Sequence, residues 1–232
     1  PVPTTNEERL NWMVAEGFIS REPTGGGYVI NLGAIAAARR AEDFPDLARK
    51  AVRIVVYDGL NKSKISRQQE GVLGYAIGFQ GIIQFLTTIL PQSEVIEKAL
   101  RVKRTVYPEI ALRELVANAL IHQDFSVTGV SPLIEIFDDR IEISNPGGLL
   151  PSKQLDRLIG TQPESRNEKL ASAFRRYKIC EEFGSGLIKA GQQVEIYGLP
   201  PIEFFSGPNY FKVTLYCPRT FAQMSARERL EA

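Results

Sequence analysis

The chain has 232 residues, 44% hydrophobic and 24% charged, with 28 Lys and Arg against 27 Asp and Glu for a formal net charge of +1. That composition suits one large or two small folded domains burying roughly 70% of the unfolded chain's surface, and it excludes a disordered tail. Near-zero charge also excludes a uniformly basic nucleic-acid coat, while leaving room for a local basic patch. The longest apolar stretch, Gly78 to Leu90, is interrupted by Gln80 and Gln84 and falls short of the ~20 residues of a membrane helix, so no membrane partner is expected.

Two cysteines, Cys180 and Cys217, and a single histidine leave no disulfide framework or structural zinc site, and a reducing, cytoplasmic setting is the expectation. Both thiols sit among apolar neighbours and read as inert core groups. The chain opens on Pro1 with no charged and apolar leader, so an internal piece of a longer protein is expected rather than a secreted precursor. Residues 219–232, with the charged run Ser225 to Ala232, read as a truncated C-terminal helix.

Asn6, as an N-cap before Glu7 and Glu8, opens an amphipathic helix with Leu10, Met13 and Val14 on one face; Gly17 ends it, and Trp12 is assigned to packing. Phe18 to Ser20, the Thr24-Gly25-Gly26-Gly27 turn and Tyr28 to Ile30 then read as a small hairpin. Helix plus hairpin is either the end of a winged helix or a simple support for the next element. Asn31 to Arg40 is helical, Val52 to Tyr57 is a β-branched strand, Asn61 to Gln69 is a polar loop, and Gly78 to Leu90 is a buried helix. These elements make a small mixed α/β unit over residues 1–100.

From Pro108 the pattern is more regular. Pro108-Glu109 opens a helix reaching Gln123, with Leu112, Leu115, Val116, Ala119 and Leu120 as its apolar face. Strands Leu133 to Phe137 and Ile141 to Ile143 follow, joined by the Asp138-Asp139-Arg140 turn, and Asn145-Pro146-Gly147-Gly148 ends the hairpin. Helices over Asn167 to Tyr177 and Gly186 to Tyr197 lead to strands Ile202 to Phe205 and Phe211 to Tyr216. Residues 101–218 form the second unit of this reading.

Glu114, Asn118 and His122 recur every four residues and share one polar stripe opposite the leucine-rich face. The stripe is either a solvated helix surface or a carboxylate and amide aimed together, able to order a divalent cation and activate its water. His122 fits a helix-end hydrogen bond better than catalysis. Gly147-Gly148 is either a plain turn or a place where a flat ring or phosphate meets backbone. Phe183-Gly184-Ser185-Gly186-Leu187 puts glycines before a helix, as a flexible start or as an anion site built from free N–H groups.

The order of these segments carries a resemblance. Glu114 to Leu120, Ser144-Asn145-Pro146-Gly147-Gly148 and Gly184-Ser185-Gly186-Leu187 resemble the N box and the two glycine boxes of the GHKL ATPases. More closely, Arg113 to Phe125, Phe137 to Gly148 and Ser165 to Ala171 look like the GHKL-type module of bacterial transcriptional regulators and RecG-like helicase-related proteins that carry an N-terminal AlbA (Schlafen-type) domain, a domain not expected within these residues. The looser likeness includes Gly74 to Phe79.

The resemblance implies an α/β chain with a GHKL (Bergerat-like) two-layer α/β sandwich after the smaller mixed unit. It implies ATP and Mg²⁺ as cofactors: Asn118 would hold the metal, and Glu114 would orient or activate water. Asn145, Gly147 and Gly148 would border the base, Gly184 and Gly186 would cap the triphosphate, and Arg166 or Lys189 would neutralise its charge. Arg166 also reads as half of a helix-capping Arg-Asn pair.

One departure stands out: Asn145 occupies the position of the family's Asp. Its neutral amide makes a less charge-assisted contact with adenine, would admit guanine if the NH₂ faced the base, and leaves a vestigial site if Pro146 closes the pocket. With a short lid between Gly148 and Gly184, hydrolysis is expected to be slow or partner-dependent.

The functional reading is an ATP-binding regulatory module of a DNA-binding transcriptional regulator, with weak Mg-dependent ATPase activity. The alternative is a non-catalytic GHKL-shaped scaffold for homodimerisation or for docking DNA or a partner. Arg39, Arg40, Arg49, Lys50, Arg53, Lys62, Lys64 and Arg67, gathered before residue 70, are the candidate DNA contacts.

Overall fold

The computed structural model describes residues 3–24, 26–97, 100–180 and 184–218. Phe183 and the expected C-terminal helix lie outside them. Helix α1 (Asn6–Ala15) is capped by Thr5 rather than Asn6. Thr5 has Glu8 three residues into the helix, and the two close a capping box in which each accepts from the other's backbone. The backbone N–H groups of Thr5 and then Thr4 hold the Glu8 carboxyl down at about 2. Gly17, at φ +73°, takes the left-handed turn that releases the chain into the antiparallel hairpin β1 (Ile19–Arg21) and β2 (Gly27–Val29).

Helix α2 (Asn31–Ala37), a 3-10 turn at Ala41–Asp43 and the short α3 (Pro45–Ala48) lead into β3 (Arg53–Tyr57). The expected polar loop is in part a strand: β4 (Ile65–Glu70) pairs antiparallel with β3 and is exposed at every residue. An edge strand with one paired side and a solvated surface needs no apolar alternation, so its sequence reads as loop. After α4 (Tyr75–Ile89) comes an antiparallel hairpin that the sequence reading did not anticipate, β5 (Gln92–Glu97) and β6 (Leu100–Thr105).

The chain then continues with α5 (Glu109–His122), β7 (Leu133–Ile136), β8 (Arg140–Pro146), α6 (Glu168–Arg176), α7 (Gly186–Ile196), β9 (Glu203–Ser206) and β10 (Tyr210–Tyr216). The order β4-β3-β7-β8-β10-β9 makes one six-stranded mixed sheet in which only β3 and β7 run parallel. The expected boundary at residue 100 therefore falls between strands of a single sheet. One apolar core spans both halves, from Phe18 to Leu215. Ile54, Ile134, Ile136, Ile141, Ile143, Val213 and Leu215 supply its sheet side at alternate positions, and Phe79, Ile83, Leu86, Leu112, Leu115, Leu120 and Phe174 its helix side.

Helix α5 is the centre of the helical layer. The sequence gives it one apolar face, but Ala111, Leu112, Glu114 through Ala117 and Ala119 through Ile121 are all buried. The reason is α7, which packs on the side that carries Glu114: a Cβ at Gly186 would collide with the Glu114 carboxylate, and only glycine lets that helix start seat so closely. The end of α5 is tied down by a buried polar chain. Gln123, fully buried, donates to the Tyr75 hydroxyl (2.7 Å), which donates to the Lys50 carbonyl.

The sheet's other surface carries a charge ladder. Glu135 and Glu142 stand directly opposite each other on β7 and β8, an arrangement that repels unless both are supplied with donors. Tyr57 (3.0 Å) and Lys62 serve Glu135; Arg140 (2.8 Å) and Lys212 (3.1 Å) serve Glu142. Burial alone would raise the Glu142 carboxyl, but the hydrogen bonds and charges of Arg140 and Lys212 outweigh it and hold it below the ordinary carboxylate value.

Two measurements follow. A depressed folded-state pKa contributes stability above the unfolded value and loses it as pH falls. Glu142→Gln is expected to cost about 2 kcal/mol near neutrality, the scale of hydrogen bonds to a charged group, with the gap to wild type closing in urea titrations as pH drops below the carboxylate range. In a double-mutant cycle, Gly186→Ala is expected to destabilise by about 2 kcal/mol through overpacking, and by clearly less in a Glu114→Ala background; equal costs would mean that the carboxylate is not what Gly186 accommodates.

Candidate nucleotide site

A cavity of about 720 Å³ opens between α5, the end of β8, the segment 148–166 and the start of α7. Its walls include Glu114, Asn118, His122, Asn145, Gly148, Arg166, Gly184 and Gly186. The acid-amide stripe of α5 thus faces an internal space rather than open solvent, because α7 and the covering segment lie over it.

At one part of this wall sit Glu114 and Asn118. Glu114 is 7% exposed and stands against the N-terminus of α7, a helix with no acidic residue in its first turn and no side-chain bond from its cap Ser185. A carboxylate is favoured there by the partial positive charge of the unpaired N–H groups. Asn118, one turn further along α5, is half-buried and has no hydrogen bond to any described residue, so its amide oxygen is available to the cavity. Mg²⁺ is usually held by one or two protein oxygens with the rest from ligand and water, and this donor set fits that pattern. Among the described residues no three His, Cys, Asp or Glu side chains gather into an all-protein metal cage.

The wall also has an apolar part, beside polar and charged residues that include Lys153, Glu164 and Glu168. Asn145 lies on β8 opposite Phe211 of β10, and Phe211, Val213 and Phe204 line the same space. Asn145 is 4% exposed, and its Nδ2 donates to the Pro146 carbonyl at 3.1 Å. Only the amide nitrogen can make that bond, which leaves Oδ1 as the group able to accept from a ligand. Pro146 is not among the cavity walls; it closes the strand pairing with Tyr210.

The glycines divide by role. Gly148 must be glycine because a Cβ there would strike the Gly207 carbonyl, and a Cβ at Gly184 (φ +70°) would come 2.6 Å from Pro163. The covering segment therefore touches the start of the second glycine run. Gly147 is outside the cavity walls: at φ +90° it turns the chain past Asp124, whose Cβ would lie 2.6 Å from an added Cβ.

Arg166 is a strut as well as a wall. Its guanidinium donates to the carbonyls of His122 (3.0 Å) and Gly148 (2.8 Å) and pairs with Asp124 at 3.4 Å. Asn167 donates to the carbonyls of Ile121 and Gln123, 2.7 Å each. The Arg-Asn pair thus caps the C-terminus of α5, satisfying carbonyls that have no partner within the helix, and fixes the first glycine loop to that end. Burial first, then the charges of Arg166 and Lys153, pushes the His122 imidazole down to about 4 against a pull from Glu164, so it is neutral at pH 7. Its backbone carbonyl, not its ring, makes the helix-end bond to Arg166.

Lys189 stands on the exposed side of α7, away from the cavity. Lys153, which the sequence reading passed over, is in the wall instead, held by the Gln162 carbonyl. Phe204, Phe211 and Val213 were also missed as site residues; the two-residue alternation on β9 and β10 is the signal that places them on one face. Cys180 lines the cavity, and neither Cys180 nor Cys217 forms a disulfide among the described residues.

The basic residues before position 70 do not form a bare patch. Lys50 is 4% exposed and donates to the Val127 carbonyl. Arg40 pairs with Glu42, Lys62 with Glu135, and Lys64 with Asp58 at 2.7 Å. Arg39, Arg49, Arg53 and Arg67 remain on the surface.

Residues 129–215 match an ATPase-type family described as "Putative ATP-dependent DNA helicase recG C-terminal". No curated protein matches the chain. Among solved structures, the DIP2311 protein of Corynebacterium diphtheriae superposes with a TM-score of 0.71 over 95% of this chain at 18% identity, which is a likeness of fold. The chain spans 42% of that protein's length. No described helix is long and apolar enough to cross a membrane. The stretch similar to that family, residues 129–215 of an α/β fold, supplies one side of the cavity while α5 supplies the other.

Proposed function

We propose that the chain is an ATP-binding, Mg-dependent regulatory module of a GHKL kind, with slow hydrolysis, and that it works within a DNA-linked transcriptional regulator in a reducing, cytoplasmic setting. The observation that carries the reading is the meeting of Glu114, Asn118, Asn145, Gly148, Gly184 and Gly186 around one cavity, although they lie far apart in sequence. Its volume lies in the range of ligand pockets, about 300–1,000 Å³. An apolar floor beside an amide acceptor suits a flat base with an amino group, and Asn145 Oδ1 is the acceptor in this reading, which favours adenine over guanine.

The residues would divide the work as follows. Asn118 supplies a protein oxygen to Mg²⁺, which when bound would neutralise phosphate charge and stabilise the leaving oxygen. Glu114 orients a water. Gly184 and Gly186 leave backbone N–H groups uncovered for phosphate oxygens. Lys153 adds a cation from the covering segment, and Arg166 positions the glycine loop against α5. The link to DNA is proposed from the family likeness; the basic run at 39–67 is too internally paired to carry it alone.

A second reading, a scaffold that binds nucleotide without hydrolysing it and serves dimerisation or docking, is favoured by the burial of Glu114 against α7 and by the neutral Asn145. One set of measurements separates them. A fluorescent ATP analogue is expected to bind only with Mg²⁺. Asn118→Ala should weaken binding about 10- to 100-fold, the loss of a contact to a charged partner, with an unchanged melting temperature. Phosphate release that Glu114→Gln abolishes while binding persists supports the ATPase, and binding without release in the wild type supports the scaffold. Binding that ignores Asn118→Ala would discard the assigned site.

A further inference from the structure

A second cavity, about 820 Å³, lies on the far side of α5 between the N-terminal helix-hairpin and helices α2, α4 and α6. None of the chemistry above uses it. Its floor is built of small residues, Ala34, Ala37, Ala38 and Ala76, and its sides of large apolar ones, Trp12, Phe18, Phe44 and Phe79 among them. The void has a structural cause. Gly33 lies so close to the Phe18 backbone that a Cβ could not fit, so the N-terminal unit is pinned at one end and spans the alanine floor beyond it.

The charged groups on this wall are unbalanced. Arg39, Arg113 and Lys178 face it with Asp43 as the one carboxylate. Arg113 is held by the Gln80 side chain at 3.2 Å and lies over the Phe79 ring. The side chains of Arg39 and Lys178 have no hydrogen-bond or ion-pair partner among the described residues, and both are exposed at the rim. Lys178 is also the one described non-glycine residue at positive φ, 56°. It stands at the left-handed position that ends α6, where glycine is favoured, so the chain accepts backbone strain there and gains a cation at the rim.

An apolar interior with two unpaired cations at its mouth is complementary to a molecule with the opposite distribution. We propose that this cavity is a binding site for a small apolar carboxylate, its hydrocarbon or ring body among Trp12, Phe18 and Phe44 and its anionic end between Arg39 and Lys178. The proposal stands without the nucleotide reading, since it uses no residue of the first cavity.

The chain has a single tryptophan, and it lines this cavity. Trp12 emission is therefore a reporter of this site. Titration with octanoate is expected to give a saturable blue shift, and 1-octanol, the same chain without the charge, should bind about tenfold more weakly. Arg39→Glu, at an exposed position, should weaken octanoate about tenfold with an unchanged melting temperature, the scale of a reversed charge at a partly solvated contact. Ala37→Phe should fill the cavity and remove the response. The proposal is overturned if octanoate gives no saturable shift, if octanol equals octanoate, if Arg39→Glu leaves affinity unchanged, or if ATP displaces octanoate, which would put the ligand in the first cavity.

Discussion

The structure depends on a carboxylate placed where a helix begins. Glu114 is buried on a central helix, a position that costs free energy unless the charge is met, and its carboxylate lies against Gly186 at the start of α7, where the helix dipole favours a negative charge. That contact dictates Gly186, because no side chain fits between the two helices. It also sets the distance at which α7 crosses α5, and so the width of the first cavity. The same N-terminus cannot hold Glu114 and a phosphate group with full strength at once.

A second constraint acts at the other end of α5. The carbonyls of Ile121, His122 and Gln123 would be orphaned at the helix end, and Arg166 and Asn167 satisfy them from a segment more than forty residues downstream. Because Arg166 also grips the Gly148 carbonyl, helix end and glycine loop move as one body. The covering segment is then fixed where it begins, by the Arg166 bond to the Gly148 carbonyl, and near where it ends, by the Pro163 contact with Gly184.

Much of this was legible in the residues. The helices near 109–122, 168–176 and 186–196 and the strands at 53–57, 133–136, 140–146 and 210–216 follow apolar periodicity, since each buries one face. What periodicity could not supply was partnership. The strand at 65–70 is exposed throughout and exists because β3 offers it an edge; the strands at 92–97 and 100–105 form a separate two-stranded pair. Across the expected boundary at residue 100, the parallel pairing of β3 with β7 joins segments whose sequences carry no mark of each other. Among the cavity walls, Glu114, Asn118, Gly148, Gly184 and Gly186 stand in segments that the sequence singles out. Alternation puts Phe204, Phe211 and Val213 on one face, but the meeting of that face and Lys153 with the α5 stripe comes from the sheet order. Lys189 sits at plausible spacing behind the glycines, but the rotation of α7 needed to seat Gly186 on Glu114 turns it outward.

The two cavities share their partitions. On α5, Arg113 faces the second and Glu114 the first; past the end of α6, Ile179 faces the second and Cys180 the first. Adjacent residues on one rigid element cannot be displaced independently, because interiors packed at near-crystal density transmit a shift rather than absorb it. Site and neighbouring void are in that sense two faces of a single helix, and the burial of α5 on all sides, which its sequence pattern of one apolar face conceals, is what makes them so.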